Sequence, residues 1–65
     1  MSPMTLQAWL QLKGWVGTGG EAKYAIQSGL VWVGGEIETR RRLKLSEGDE
    51  IAFGSFKGRV EQGDL

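Results

Sequence analysis

Cysteine and histidine are both absent from this 65-residue chain, and proline occurs once. Without cysteine there is no disulfide and no thiolate metal site to staple a small fold. Without histidine, Ser-His-Asp and Cys-His catalysis, the usual zinc ligands and the ordinary proton shuttle near neutral pH are excluded. No apolar run approaches the roughly 18 residues of a membrane span. The opening Met1-Ser2-Pro3-Met4-Thr5 lacks the basic start and apolar stretch of an export signal, so the expected compartment is the cytoplasm. A chain this short makes one domain, expected over 1–65 with a core over about 4–60, and it has little core to spare for a cofactor. No cofactor and no metal are expected.

What is present is glycine and a divided charge. Eleven glycines stand between patterned segments, where turns need positive φ. Net charge is zero, but residues 1–45 hold six basic against three acidic side chains, and residues 46–65 hold two against five. A bipolar molecule can show one basic face despite a neutral total.

Two short helices open the chain. Thr5 is placed to cap the first, Leu6 to Lys13, whose Leu6, Trp9 and Leu10 repeat at i, i+3, i+4, and Gly14 is placed to end it. Thr18-Gly19-Gly20-Glu21 fits a capping box for the second, in which hydroxyl and carboxylate satisfy free N–H groups reciprocally. Its inward stripe is Ala22, Ala25 and Ile26, which leaves Gly20, Lys23, Tyr24 and Gln27 outward before Gly29.

From Leu30 the period changes to two. Gly34-Gly35 turns Leu30–Val33 into Glu36–Thr39 as a hairpin. A two-residue loop puts Trp32 on the face of Ile37. A three-residue loop with a bulge gathers Val31, Val33 and Ile37, and burial favours this second register. Trp32 is then at least partly exposed, and Trp15 and Trp32 are each either core or stacking surfaces. Leu43 and Leu45 share a further strand face, and Ile51 and Phe53 a next one. Gly54-Ser55 pairs Phe53 with Phe56 and Glu50 with Arg59, and residues 61–65 are expected to fray. The order predicts an α+β fold: two N-terminal helices packed on a small bent, mostly antiparallel sheet of about four or five strands.

No set of residues reads as catalytic. Glu36 and Glu38 sit two apart beside three arginines, the pattern of a solvated charged face. Thr18-Gly-Gly-Glu lacks the glycine spacing and Lys-Ser/Thr ending of a nucleotide loop. The strongest cluster is Arg40-Arg41-Arg42 with Lys44, because guanidinium forks suit phosphate oxygens. Lys13 joins that surface on charge alone, if folding brings it there.

Taken together, Thr18-Gly-Gly-Glu-Ala-Lys23, Ile26-Gln-Ser-Gly29, Val31-Trp-Val-Gly-Gly-Glu36, Thr39-Arg-Arg-Arg42 and Leu45-Ser-Glu-Gly-Asp-Glu-Ile51 resemble the S-four-type RNA-binding domain, or alpha-L motif, in its short stand-alone bacterial form. The resemblance spans about residues 4 to 53. It implies two helices on a small bent sheet and binding of structured RNA, ribosomal or transfer RNA. The implied surface is Thr18, Gly19, Gly20, Lys23, Gln27, Arg40, Arg41 and Arg42; Lys13 and Lys44 are added from charge. Relatives usually carry Val-Asn-Gly where this chain has Val33-Gly34-Gly35, and many larger ones carry arginine at the position of Gly19.

Two other readings compete. A protein-interaction module would use strand edges and exposed tryptophans. A ubiquitin-like sulfur carrier shares the hairpin and the Leu-x-x-Gly-Asp-x-Ile turn, but it needs a terminal Gly-Gly, and this chain ends Gln62-Gly63-Asp64-Leu65.

Overall fold

The computed structural model describes residues 4–65. Helices α1 (Leu6–Leu12) and α2 (Gly19–Gln27) precede strands β1 (Val31–Val33), β2 (Glu36–Ile37), β3 (Glu50–Phe53) and β4 (Phe56–Arg59), and a 3-10 turn spans Gln62–Asp64. The strands form one sheet in the order β2-β1-β3-β4, every pairing antiparallel. This is the expected α+β arrangement, with four strands.

The helical spacing read from the sequence is the spacing that is buried. Leu6, Trp9 and Leu10 of α1 meet Ala22, Ala25 and Ile26 of α2, and Val31 and Ile51 close the core from the sheet. Both threonines cap as expected: Thr5 Oγ1 accepts from the Ala8 N–H at 3.2 Å and Thr18 Oγ1 from the Glu21 N–H at 3.1 Å. Only half of the reciprocal box forms at α2. The Glu21 carboxylate lies over Gly17 and accepts the Thr18 hydroxyl at 3.5 Å, so it does not reach back to the backbone.

The β1–β2 register differs from the favoured one. Val33 pairs with Glu36 and Trp32 with Ile37, so the loop has two residues. Gly34 and Gly35 both take positive φ, 60° and 85°, which is the backbone of the tight turn whose twist matches a hairpin. Turn geometry therefore overrides the gathering of apolar residues. In this register Ile37 stays 53% exposed. The pairs Phe53–Phe56 and Glu50–Arg59 form as expected across Gly54-Ser55.

Leu43 and Leu45 do not lie in a strand of the sheet. Their segment makes a single bridge, Lys44 with Thr5, flanked by Leu6 N–H to Leu43 O at 2.8 Å and Leu45 N–H to Met4 O at 2.9 Å. The chain leading into α1 occupies that edge, which shortens the ladder to one bridge. Leu45 is buried all the same.

The tail is not frayed. Asp64 accepts from the Trp9 indole N–H and from Lys13 Nζ, each at 3.0 Å, and from the Glu61 N–H at 3.0 Å. Trp9 is fully buried and needs a partner for its N–H, and Asp64 supplies it. The bonds from the Glu61 backbone, then Trp9 and Lys13, pull the Asp64 carboxyl from 3.8 down to about 2. Because the group is more acidic folded than unfolded, its contribution is complete above a pH of about 4 and is withdrawn as the pH falls toward the folded value. Asp64→Asn should lower the melting temperature at neutral pH, and the difference should close near pH 2. An equal deficit at both values would show that the charge is not what holds the tail.

Candidate nucleic-acid interface

The three arginines occupy a turn in which the Leu43 N–H returns to the Arg40 carbonyl at 3.1 Å. Their charges are not equivalent. Glu38 grips Arg40 with three bonds: from its backbone N–H at 2.9 Å, Nε at 2.9 Å and Nη2 at 3.1 Å. The arginine fork lowers the Glu38 carboxyl below its ordinary range and raises the guanidinium. Arg40 is thereby paired with a carboxylate, and the fork braces the turn. Arg41 turns back to α1, where its Nη1 donates to Gln7 Oε1 at 3.4 Å and its carbonyl accepts the Gln7 N–H at 3.1 Å. Arg42 is exposed, as is Lys44 two residues on, and neither has a carboxylate within salt-bridge distance among the described residues.

The start of α2 reaches the same place from the other side. A Cβ on Gly19 would stand 3.1 Å from Gln7 Nε2 and 3.7 Å from Gln11 Oε1, so the first turn of α2 lies directly on these two glutamines. Gln7 thus touches both the arginine turn and the α2 start. Along α2 each residue advances about 100°, which sets Lys23 about 40° from Gly19 and Gln27 another 40° on. Lys23 and Gln27 are exposed. Gly20 and Thr18 lie at the exposed N-terminal end, where free N–H groups and the helix dipole favour an anion. Lys23 makes no ion pair among the described residues.

Lys13 does not join this set. Gln7 and Gln11 occupy one flank of α1, and Lys13 follows the opposite flank with Trp9, where it is paired to Asp64 at 3.0 Å. Its charge is committed to the tail. The residue that sequence reading passed over is Gln7, a neutral side chain whose role comes from touching two elements distant in sequence. Among the described residues no group of three or more acidic side chains converges to hold a metal, and no helix is long and apolar enough to cross a membrane.

The family model of the S4 domain matches residues 2–61. A curated protein of Escherichia coli (strain K12), "Putative RNA-binding protein YbcJ", is 41% identical over 51 residues, covering 78% of this chain and 73% of the relative. The same figures hold for "Uncharacterized protein YbcJ" of Shigella flexneri. No solved structure matches the chain at a significant level.

Proposed function

The chain belongs to the S4 domain family, and from that membership we propose that it is a small, non-catalytic RNA-binding protein of the cytoplasm. It binds structured RNA, ribosomal or transfer RNA, through one composite surface. The observation that carries the reading is the shared contact at Gln7, which sets the arginine turn against the glycine-opened start of α2. Arg41 and Arg42 supply forked donors to phosphate, and Lys44 adds a point charge beside them. Gly19 lets α2 seat on Gln7 and Gln11, the exposed Gly20 lets a phosphate approach the first N–H groups of α2 with Thr18 at the cap, and Lys23 and Gln27 extend the strip along the helix. Arg40 contributes chiefly by holding the turn, because Glu38 offsets its charge.

Lys23 tests the composite surface, since its side chain is solvent-facing and its loss leaves the core intact. Lys23→Glu should weaken binding of transfer RNA or a ribosomal RNA fragment by about tenfold or more in an anisotropy titration, with unchanged circular dichroism. A charge-assisted contact is worth about 1.5–3 kcal/mol and the new carboxylate adds repulsion. Wild-type affinity in this variant would confine the site to the arginine turn.

A further inference from the structure

The sheet has a second face, turned away from the helices, that the composite surface does not use. Cross-strand register sets Ile37, Trp32, Ala52 and Lys57 in one row across all four strands, and Glu50 opposite Arg59 in the next. Ile37, Trp32 and Lys57 of this row are exposed and Ala52 is half-buried. Trp32 is 44% exposed and Leu30, two residues before it, 47% exposed. Ala52 between Trp32 and Lys57 presents only a methyl group. The result is an open depression of about 950 Å³ with Trp32 and Leu30 at one side and Lys57 and Arg59 at the other.

We propose that this face is a second RNA contact, where an unpaired base stacks on Trp32 and its phosphate meets Lys57 and Arg59. The inference rests on the RNA-binding reading and adds a site to it. Three observations carry it. The first is charge. Lys57 has no carboxylate within salt-bridge distance among the described residues, and Arg59 holds only an exposed contact to Glu50 at 3.4 Å. Glu50 is the one acidic side chain on the two rows, so the face is net positive although residues 46–65 are net acidic. The second is spacing. Strands lie about 4.8 Å apart, so the Trp32 and Lys57 backbones are about 10 Å from each other. An aromatic plane with a cation beside it, on an open sheet, is the arrangement that holds single-stranded nucleic acid without reading its sequence. The third is area. Four strands of at most four residues give a footprint of roughly 15 by 13 Å, about 200 Å², far below the roughly 800 Å² per partner of a stable protein interface. One or two bases fill it.

The full-length chain is titrated with two fluorescein-labelled RNAs: a ten-nucleotide uridine oligomer and a fully paired RNA duplex. Trp32→Ala should weaken oligomer binding about fivefold to a hundredfold, the range for losing one base stack, and leave duplex binding unchanged. Trp32→Phe should restore most of the affinity. Lys57→Gln, a substitution at an exposed edge position, should weaken the oligomer and reduce its salt slope by about 0.7. Equal oligomer affinity in wild type and in folded Trp32→Ala, or in wild type and Lys57→Gln, overturns the proposal while leaving the composite surface standing. Oligomer-insensitive variants that convert a wild-type dimer to a monomer in sedimentation overturn it in favour of a self-interface. If wild type binds neither RNA nor transfer RNA, the RNA-binding reading falls and this one with it.

Discussion

Replacing Arg41 and Arg42 together by alanine is expected to cost at least a hundredfold in affinity for structured RNA, at physiological salt, without unfolding the protein. Arg42 is exposed and Arg41 half-buried against Gln7, and the turn they occupy is closed by backbone bonds and by the Glu38–Arg40 fork, neither of which depends on their guanidinium groups. A hydrogen bond to a charged group is worth about 1.5–3 kcal/mol, so two of them amount to about 3 kcal/mol or more, and each 1.4 kcal/mol is tenfold. The salt slope should fall by about 1.4 to 1.8, the contribution of two phosphates. Arg40→Ala removes a charge but exposes the Glu38 carboxylate in its place, so its effect combines a lost turn and a new repulsion. Glu38→Gln separates the two. It keeps a side-chain acceptor, releases a full positive charge on Arg40, and should raise affinity at low salt. Lower affinity in Glu38→Gln would mean that rigidity of the turn outweighs charge.

Gly58 is a position where adding a side chain should cost stability. A Cβ there would stand 3.2 Å from Trp15 Cζ2 and 3.3 Å from Trp9 Cη2, closer than side-chain contacts ordinarily come. Neither ring can retreat easily. Trp9 is buried and tied through its N–H to Asp64, and Trp15 is held edge-on to Trp9 at 4.9 Å and stacked on Phe56 at 5.3 Å. Gly58→Val forces three carbons into that space, and overpacking of this kind costs about 1–3 kcal/mol. In a domain of this size each kcal/mol moves the melting temperature by about 4–8 °C, so the expected drop is on the order of 10 °C. Gly58→Ala should be far milder, because the lone methyl meets ring edges that need yield only slightly and the substitution narrows the unfolded ensemble. Thermal melts of both variants test this, and a valine variant as stable as the alanine one would show that the rings have room to move.

The parts of this fold that were legible in the sequence are those fixed by local rules. Leu6, Trp9 and Leu10 had only one way to share a helix face, and Thr5 and Thr18 cap as their chemistry requires. The Phe53–Phe56 and Glu50–Arg59 pairs followed from a two-residue loop at Gly54-Ser55. Burial of Ile37 predicts the wrong β1–β2 register, because two adjacent positive-φ glycines dictate the turn. Asp64 was beyond reach for a different reason: nothing near residue 64 signals a buried indole N–H that lies 55 positions earlier. At the site, the basic cluster was visible, but its partition was not. Arg40 is gripped by its i−2 neighbour and Lys13 by the tail, so the charges left to act are those with no carboxylate at hand. Gln7, which joins the two halves, looks in sequence like any exposed helix residue.

The Trp9–Asp64 bond also orders events during synthesis. Trp9 leaves the ribosome's catalytic centre 55 residues before its acceptor is made, which at about 5–20 residues per second is a wait of several seconds. During that time the indole N–H has only water to bond. The neighbours at Gly58 that close over the ring are themselves among the last residues translated. Helix α1 is too short to be stable alone and can pack on α2 once that is made, but the side of the Trp9 ring facing Gly58 stays uncovered until the final strand emerges. A nascent chain stalled before β4 should therefore be a substrate for chaperones and proteases, and the finished chain should not.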